Sequence, residues 1–172
     1  MKISYRRLEP EDSKAYRIIR LECLEKHPEN FGSIFREEKN KPKLAFETFI
    51  EEKAPDNFIF GAFDEDKLIG ICGFAREPKK KTRHIGTIIQ VYVKLEYSGK
   101  GIGLELLNAA KKEAFKLPEI EQLMLGVVVS NKSANVIYEK AGFQQYGLHK
   151  RYFKEGDKYF DQRLMILYRG KL

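Results

Sequence analysis

Thr87-Ile88-Ile89-Gln90-Val91-Tyr92-Val93-Lys94-Leu95-Glu96-Tyr97-Ser98-Gly99-Lys100-Gly101-Ile102-Gly103 is the stretch on which the reading of this chain turns. Its first half crowds β-branched residues at Thr87, Ile88, Ile89, Val91 and Val93, which predicts a strand. Its second half carries alternate glycines at 99, 101 and 103. A helix is expected to follow at once, over residues 101–116, with Gly103, Leu107, Ala110 and Ala114 on one face. Alternate glycines let the backbone turn with its N–H groups pointing one way, and they admit close approach of a ligand. The helix N-terminus behind them adds orphan donors and a partial positive charge. Together these form a seat for a pyrophosphate, beside which Lys100 places a full charge. By itself the pattern also fits a tight strand-to-helix turn with no ligand.

A second strand-to-helix unit follows. Leu123–Val129 is apolar on both faces, as a central buried strand is. Ser133–Ala141 reads as a short helix with Ala134, Ile137, Tyr138 and Ala141 inward, spaced i, i+3, i+4 and i+7. Gly142 supplies its left-handed stop. Two consecutive strands that each feed a helix predict a crevice at the strand C-terminal ends. Asn131 stands at the mouth of that crevice, and Tyr138 lies about two turns into the helix.

Outward from this centre the chain alternates strands and helices. Ile3–Leu8 predicts a first strand. A helix opens at Glu9-Pro10-Glu11-Asp12-Ser13, with Ala15, Ile18, Ile19 and Cys23 on one face, and His27-Pro28 stops it. Phe31 to Asn40 reads as a loop, and Lys43 to Glu52 as a second helix built on Leu44, Phe46, Phe49 and Ile50. Phe58–Phe63 and Leu68–Arg76 form a hairpin about Asp64-Glu65-Asp66-Lys67, and Arg83–Lys94 continues it. Phe143–Tyr152 and Tyr159–Tyr168 close the chain as another hairpin. The order is strand, two helices, three strands, helix, strand, helix, two strands.

With 172 residues the chain has the size of one domain, residues 1–172, without internal repeat or linker. Its longest apolar runs fall far short of the roughly 20 residues of a membrane helix, and no secretory signal is read at the start. Cys23 and Cys72 are too few and too scattered for a disulfide framework or a zinc site, and both read as buried thiols in a reducing cytoplasm. The net charge of +7 attracts anions in general and does not choose among nucleic acid, headgroups and a phosphorylated cofactor. Lys79-Lys80-Lys81 with Arg83 reads as a solvated loop tip, because no aromatic stacking pattern accompanies it. The common phosphate-loop, zinc-helix and serine-elbow signatures are missing. His27, His84 and His149 are scattered in sequence and read as surface or packing residues.

Val91-x-Val93 through Gly99-Lys100-Gly101-Ile102-Gly103, followed by Asn131-x-x-Ala134-x-x-x-Tyr138-Glu139-Lys140-x-Gly142-Phe143, resembles the GNAT superfamily of acetyl-CoA-dependent N-acetyltransferases. The resemblance implies an α/β (α+β) fold: a mixed seven-stranded sheet with about four helices, splayed between its fourth and fifth strands. It implies acetyl-CoA as co-substrate, with the segment Val91-Tyr92-Val93 along the pantetheine arm and Val91 and Val93 offering backbone groups to it. Ser98, Gly99, Lys100, Gly101, Ile102, Gly103 and Leu104 would hold the pyrophosphate. Asn131 would bond the pantetheine, Ala134 would pack nearby, and the Tyr138 hydroxyl would stand near the thioester sulfur as catalytic donor to the leaving thiolate. No metal is implied. The amine acceptor would belong to a small molecule or a protein, attacking directly through a tetrahedral intermediate. Neither nucleic acid nor membrane is expected as partner, and the chain is expected as monomer or homodimer.

The sequence departs from the family pattern at four places. Ser98 stands where the family loop opens with Arg or Gln, a loss that Lys100 or Lys94 is placed to offset. Leu95 replaces a frequent Pro. Thr87 and Gly126 occupy the two usual positions of a general-base Glu. Deprotonation must then use a water chain, solvent or another residue, for which Glu22, His84 and Asp161 are the candidates. The acceptor pocket is expected between Phe31 and Phe35 on one side and Tyr152, Tyr159 and Asp161 on the other. The missing carboxylates leave open a non-catalytic acyl-CoA sensor of the same fold.

Overall fold

Alternation of apolar residues on both sides of the central strands requires cover on both sides, and the computed structural model, which describes residues 2–170, supplies it. The elements are β1 (Ile3–Arg7), α1 (Ser13–Lys26), α2 (Phe35–Asn40), α3 (Ala45–Glu51), β2 (Asn57–Asp64), β3 (Lys67–Arg76), β4 (Ile85–Val93), α4 (Ile102–Ala114), β5 (Gln122–Val128), α5 (Lys132–Lys140), β6 (Gln144–Glu155) and β7 (Lys158–Tyr168). Among the described residues the strands make one seven-stranded sheet in the order β1-β2-β3-β4-β5-β7-β6. Among the described neighbouring pairs only β4–β5 is parallel.

One face of the sheet packs Ile69, Phe74, Ile88 and Leu123 against Leu106, Leu107 and Ala110 of α4 and Tyr138 of α5. The other packs Ile59, Phe63, Ile71 and Tyr92 against Tyr16, Ile19 and Leu24 of α1 and Phe46 and Ile50 of α3. Cys72 lies in the first cluster and Cys23 in the second, both as free thiols. Burial pushes Cys72 up to about 12 and Cys23 up to about 11, so neither is a thiolate at neutral pH.

Three expectations are corrected. Phe31 to Asn40 is not all loop, because Phe35–Asn40 forms the short helix α2. It has no buried residue and so no apolar period to betray it; Glu37 and Glu38 in its first turn and Lys39 in its last match the helix dipole instead. The helices among the described residues are therefore five rather than four. The inward face of α1 is also different: Ile18 is 66% exposed, and Tyr16, Ile19, Arg20, Cys23 and Leu24 point in. Those five follow i, i+3, i+4, i+7 and i+8, a regular stripe hidden by its one charged member, Arg20.

Two features shape the centre of the sheet. The parallel ladder between β4 and β5 holds only at Ile85↔Gln122, Gly86↔Leu123 and Thr87↔Met124, so the strands part beyond Thr87. In β4 the register with β3 slips between Ile71 and Gly73, and Gln90 takes φ 54°, a bulge. The Tyr16 hydroxyl donates to Gln90 Oε1 at 2.8 Å and pins that bulge to α1.

Candidate active site

The parting of β4 and β5 opens a cleft of about 580 Å³. Val91, Asn131, Ala134 and Tyr138, four of the residues named from sequence, line it together. Lys94 N–H donates to the Ile69 carbonyl of β3. Strand alternation therefore turns the peptide groups of Val93 and Val91 toward the gap. Tyr92 points the other way: its side chain is buried against α1, and its hydroxyl donates to Glu22 Oε1 at 2.9 Å.

At the end of β4 one short 3₁₀ turn, Leu95–Tyr97, leads into the glycine turn. Gly99 takes φ 74° and Gly101 φ 78°, the left-handed region, and a Cβ built on either meets nothing within 4 Å. The N–H groups of Gly99, Lys100, Gly101, Ile102 and Gly103 donate to no acceptor among the described residues. Such a cradle of free amides at the start of a 13-residue helix fits a diphosphate. Ser98 and Lys100 are exposed beside it, Leu104 is half-buried, and Ile102 is buried as the first anchor of α4. Lys100 Nζ leans back on the Glu96 carbonyl at 3.2 Å. A Cβ at Gly103 would stand 3.1 Å from Ile137 Cδ1, so glycine there lets α4 begin against α5.

Asn131 caps α5, its Oδ1 accepting from Ala134 N–H at 3.2 Å and Ser133 Oγ at 3.2 Å. Asn135, which the sequence reading missed, fixes that corner. Its Nδ2 donates to the Asn131 carbonyl at 2.7 Å and the Val128 carbonyl at 3.1 Å, while its Oδ1 accepts from Arg163 Nη1 at 2.6 Å. A polar residue four positions after Asn131, inside an apolar face, was the available signal. Tyr138 is 7% exposed, and its hydroxyl has no partner among the described residues. Burial, with the Cys72 thiol beside it, pushes that hydroxyl well above the ordinary tyrosine range, so it is a proton donor at neutral pH.

The candidate bases fall out on geometry. Glu22 accepts from Lys94 Nζ at 2.8 Å, Lys26 Nζ at 3.0 Å and the Tyr92 hydroxyl. Partial burial pushes its carboxyl up, but the three donors outweigh that and hold it at about 2. Lys94 is thereby committed to Glu22 and does not offset Ser98. A carboxyl depressed from about 4.3 stabilises the fold above that pH and loses its contribution as pH falls toward 2. Glu22→Gln is expected to lower the melting temperature by about 2–4 °C at pH 7, with the gap to the parent closing below about pH 4 in thermal melts. His84 sits below the closed end of the β4–β5 pair, its carbonyl taking Glu121 N–H at 2.8 Å. Asp161 Oδ1 accepts from Arg151 N–H at 2.7 Å and is not part of the cleft lining.

The acceptor side is composed differently from the expectation. Phe31 and Tyr152 line the cleft; Phe35 and Tyr159 do not, and Phe153, Tyr146, Glu77 and Gln162 do. Glu77 is the one carboxylate among the lining residues, on the same cleft as Thr87. Gln162 of β7 leans over Gly126, where a Cβ would collide with its side-chain amide. A neighbour's amide thus fills the position at which the sequence has no side chain. Neither residue carried a sequence signal, because Gln162 reaches the cleft from β7 and Glu77 from the connection just past the end of β3.

A family model for the acetyltransferase (GNAT) domain matches residues 6–164. The chain is 32% identical over 110 residues to N-alpha-acetyltransferase 30 of Schizosaccharomyces pombe, covering 60% of this chain and 68% of that protein. It is 30% identical over 123 residues to the spermidine N(1)-acetyltransferase of Vibrio cholerae, covering 71% of this chain and 68% of that one. A Salmonella typhimurium protein whose structure holds its cofactor acetyl-CoA superposes with a TM-score of 0.79 at 15% identity, over 98% of this chain and 94% of that one. The match over most of its length, with the parted strands that the resemblance implied, makes this chain a member of the GNAT acetyltransferase family and an N-acetyltransferase.

Proposed function

We propose that the chain moves the acetyl group of acetyl-CoA onto a primary amine in the gap between β4 and β5. The observation that carries this is the ladder that stops at Thr87↔Met124, with free amides at Gly99–Gly103 beyond it. Bound acetyl-CoA would supply an activated acyl group for the amine to attack. The Gly99–Gly103 turn would hold its diphosphate, with Ser98, Lys100 and Leu104 flanking it. The peptide groups of Val91 and Val93 would pair with its extended arm, and the Val91 N–H would face the acyl oxygen as charge builds there. Asn131 keeps its Nδ2 free of any acceptor among the described residues, available to an amide carbonyl of the arm. Tyr138 would donate its proton to the departing sulfur.

An alkylamine near pKa 10.4 must lose a proton before it attacks. A file of waters along the cleft would carry it down to Glu77 at the foot of β4, the one carboxylate among the lining residues, since Thr87 and Gly126 offer none. The two buried thiols, reduced and unpaired, support a cytoplasmic setting.

The test is thiol release from acetyl-CoA across a broad amine panel, run on the parent and on Glu77→Gln. Release with at least one amine, and a drop of roughly tenfold or more in the variant at neutral pH, are expected. Cofactor binding without release on any amine would make the chain an acyl-CoA sensor. Failure to bind the cofactor would remove the proposal altogether.

A further inference from the structure

Among the described residues three charged ones are at least nine-tenths buried, and two of them are paired. Asp12 takes both guanidinium nitrogens of Arg6, at 2.6 and 3.0 Å, and Glu47 takes Arg17 at 2.8 Å. Arg20 is the exception. It is 6% exposed, and no carboxylate among the described residues lies within 4.0 Å of it. Its one polar contact is Nη1 on Cys23 Sγ at 3.4 Å, and the Phe31 ring lies 5.0 Å from its Cζ. Its other guanidinium nitrogens have no partner among the described residues, and since no unpartnered side-chain nitrogen or oxygen there is shut off from solvent, they open outward from an otherwise buried side chain.

Arg20 lines the cleft, on the side opposite Tyr138 and beside the loop Asn30–Ser33. The N–H groups of Gly32 and Ser33 donate to no acceptor among the described residues, which adds donors next to the guanidinium. Glu77 does not neutralise it. Glu77 N–H bonds the Ile85 carbonyl at the foot of β4, whereas Tyr16, one turn before Arg20, bonds Gln90. Five residues of strand separate those levels, roughly 15 Å at the usual rise. The fork of free N–H groups matches a carboxylate in two-point geometry.

We infer that Arg20 anchors the acceptor, and that the amine acetylated here carries a carboxylate. This rests on the acetyl-transfer reading above and narrows its substrate class to amino carboxylates. A free amino acid and the acidic first residue of a peptide present the same pair of groups. The aromatic wall of Phe31, Tyr146, Tyr152 and Phe153 would hold the carbon skeleton between the two ends.

The experiment measures kcat/KM for matched sets: an amino carboxylate, its amide, and the amine lacking the group, with chain lengths of two to six carbons. Peptides beginning with Glu or Gln form a separate arm and distinguish the two sources. The carboxylate member is expected to exceed its amide by about tenfold to a hundredfold. Arg20→Gln is expected to erase that ratio through KM, and Arg20→Lys to keep part of it, with acetyl-CoA affinity unchanged in both. Amides turned over as well as carboxylates by the parent would overturn the inference while leaving acetyl transfer intact. So would a ratio that survives in Arg20→Gln. Should the parent release no thiol with any amine, calorimetric titration of the amino carboxylates into the cofactor-loaded protein decides: binding lost in Arg20→Gln sustains the anchor, and no binding to the parent refutes it.

Discussion

Gly101→Asp is expected to raise the dissociation constant for acetyl-CoA about a hundredfold, measured by calorimetry, while Gly101→Asn raises it only a few-fold. Both side chains are nearly the same size, and both tolerate left-handed backbone better than other non-glycine residues. Position 101 has φ 78° and open space around a Cβ, so neither variant meets a clash. The two differ in a full negative charge placed where a diphosphate would rest against free amides. A hundredfold is about 2.7 kcal/mol, within reach of one unscreened repulsion at close range. Equal affinities for Asp, Asn and parent would take the glycine turn out of the site.

Tyr138→Phe is expected to lower kcat about a hundredfold with little change in KM for acetyl-CoA or in melting temperature. The hydroxyl has no partner among the described residues, so its removal orphans nothing. The ring keeps its edge-on contact with Phe143 at 6.2 Å. Loss of a positioned proton donor costs about two to four decades. A further signature follows from leaving-group chemistry. The deficit should shrink with an acyl donor whose thiol is more acidic, because such a sulfur departs without help. A rate equal to the parent's would leave Tyr138 as packing alone.

The parts of the candidate site that lie on one continuous stretch are legible in the sequence. The strand into Gly99–Gly103, the cap at Asn131 and the helix through Tyr138 each announce themselves by local chemistry: glycine spacing, a capping amide, an apolar period. The parts assembled across the sheet are not. Arg20 was passed over because periodicity was sought among apolar residues, and the stripe that buries it contains a charge. Gln162 faces the cleft from β7 and Glu77 from the connection after β3, and no short motif encodes either placement. Glu22 looked like a free carboxylate until Tyr92 and Lys94, some 70 residues on, were found to enclose it.

Gln162 leaning over Gly126 leaves the two strands able to trade a function between them. The amide occupies room that the fifth strand leaves unclaimed, and it does so at the flexible tip of a long side chain. An exchange at 162 alters the chemistry met by an incoming amine without altering the backbone beneath it. An exchange at 126 evicts the amide and installs a new group at the same spot. Descendants of this sequence thus have two alternative mutational routes to a different group at that spot, and an exchange on β7 leaves the Gly99–Gly103 turn untouched.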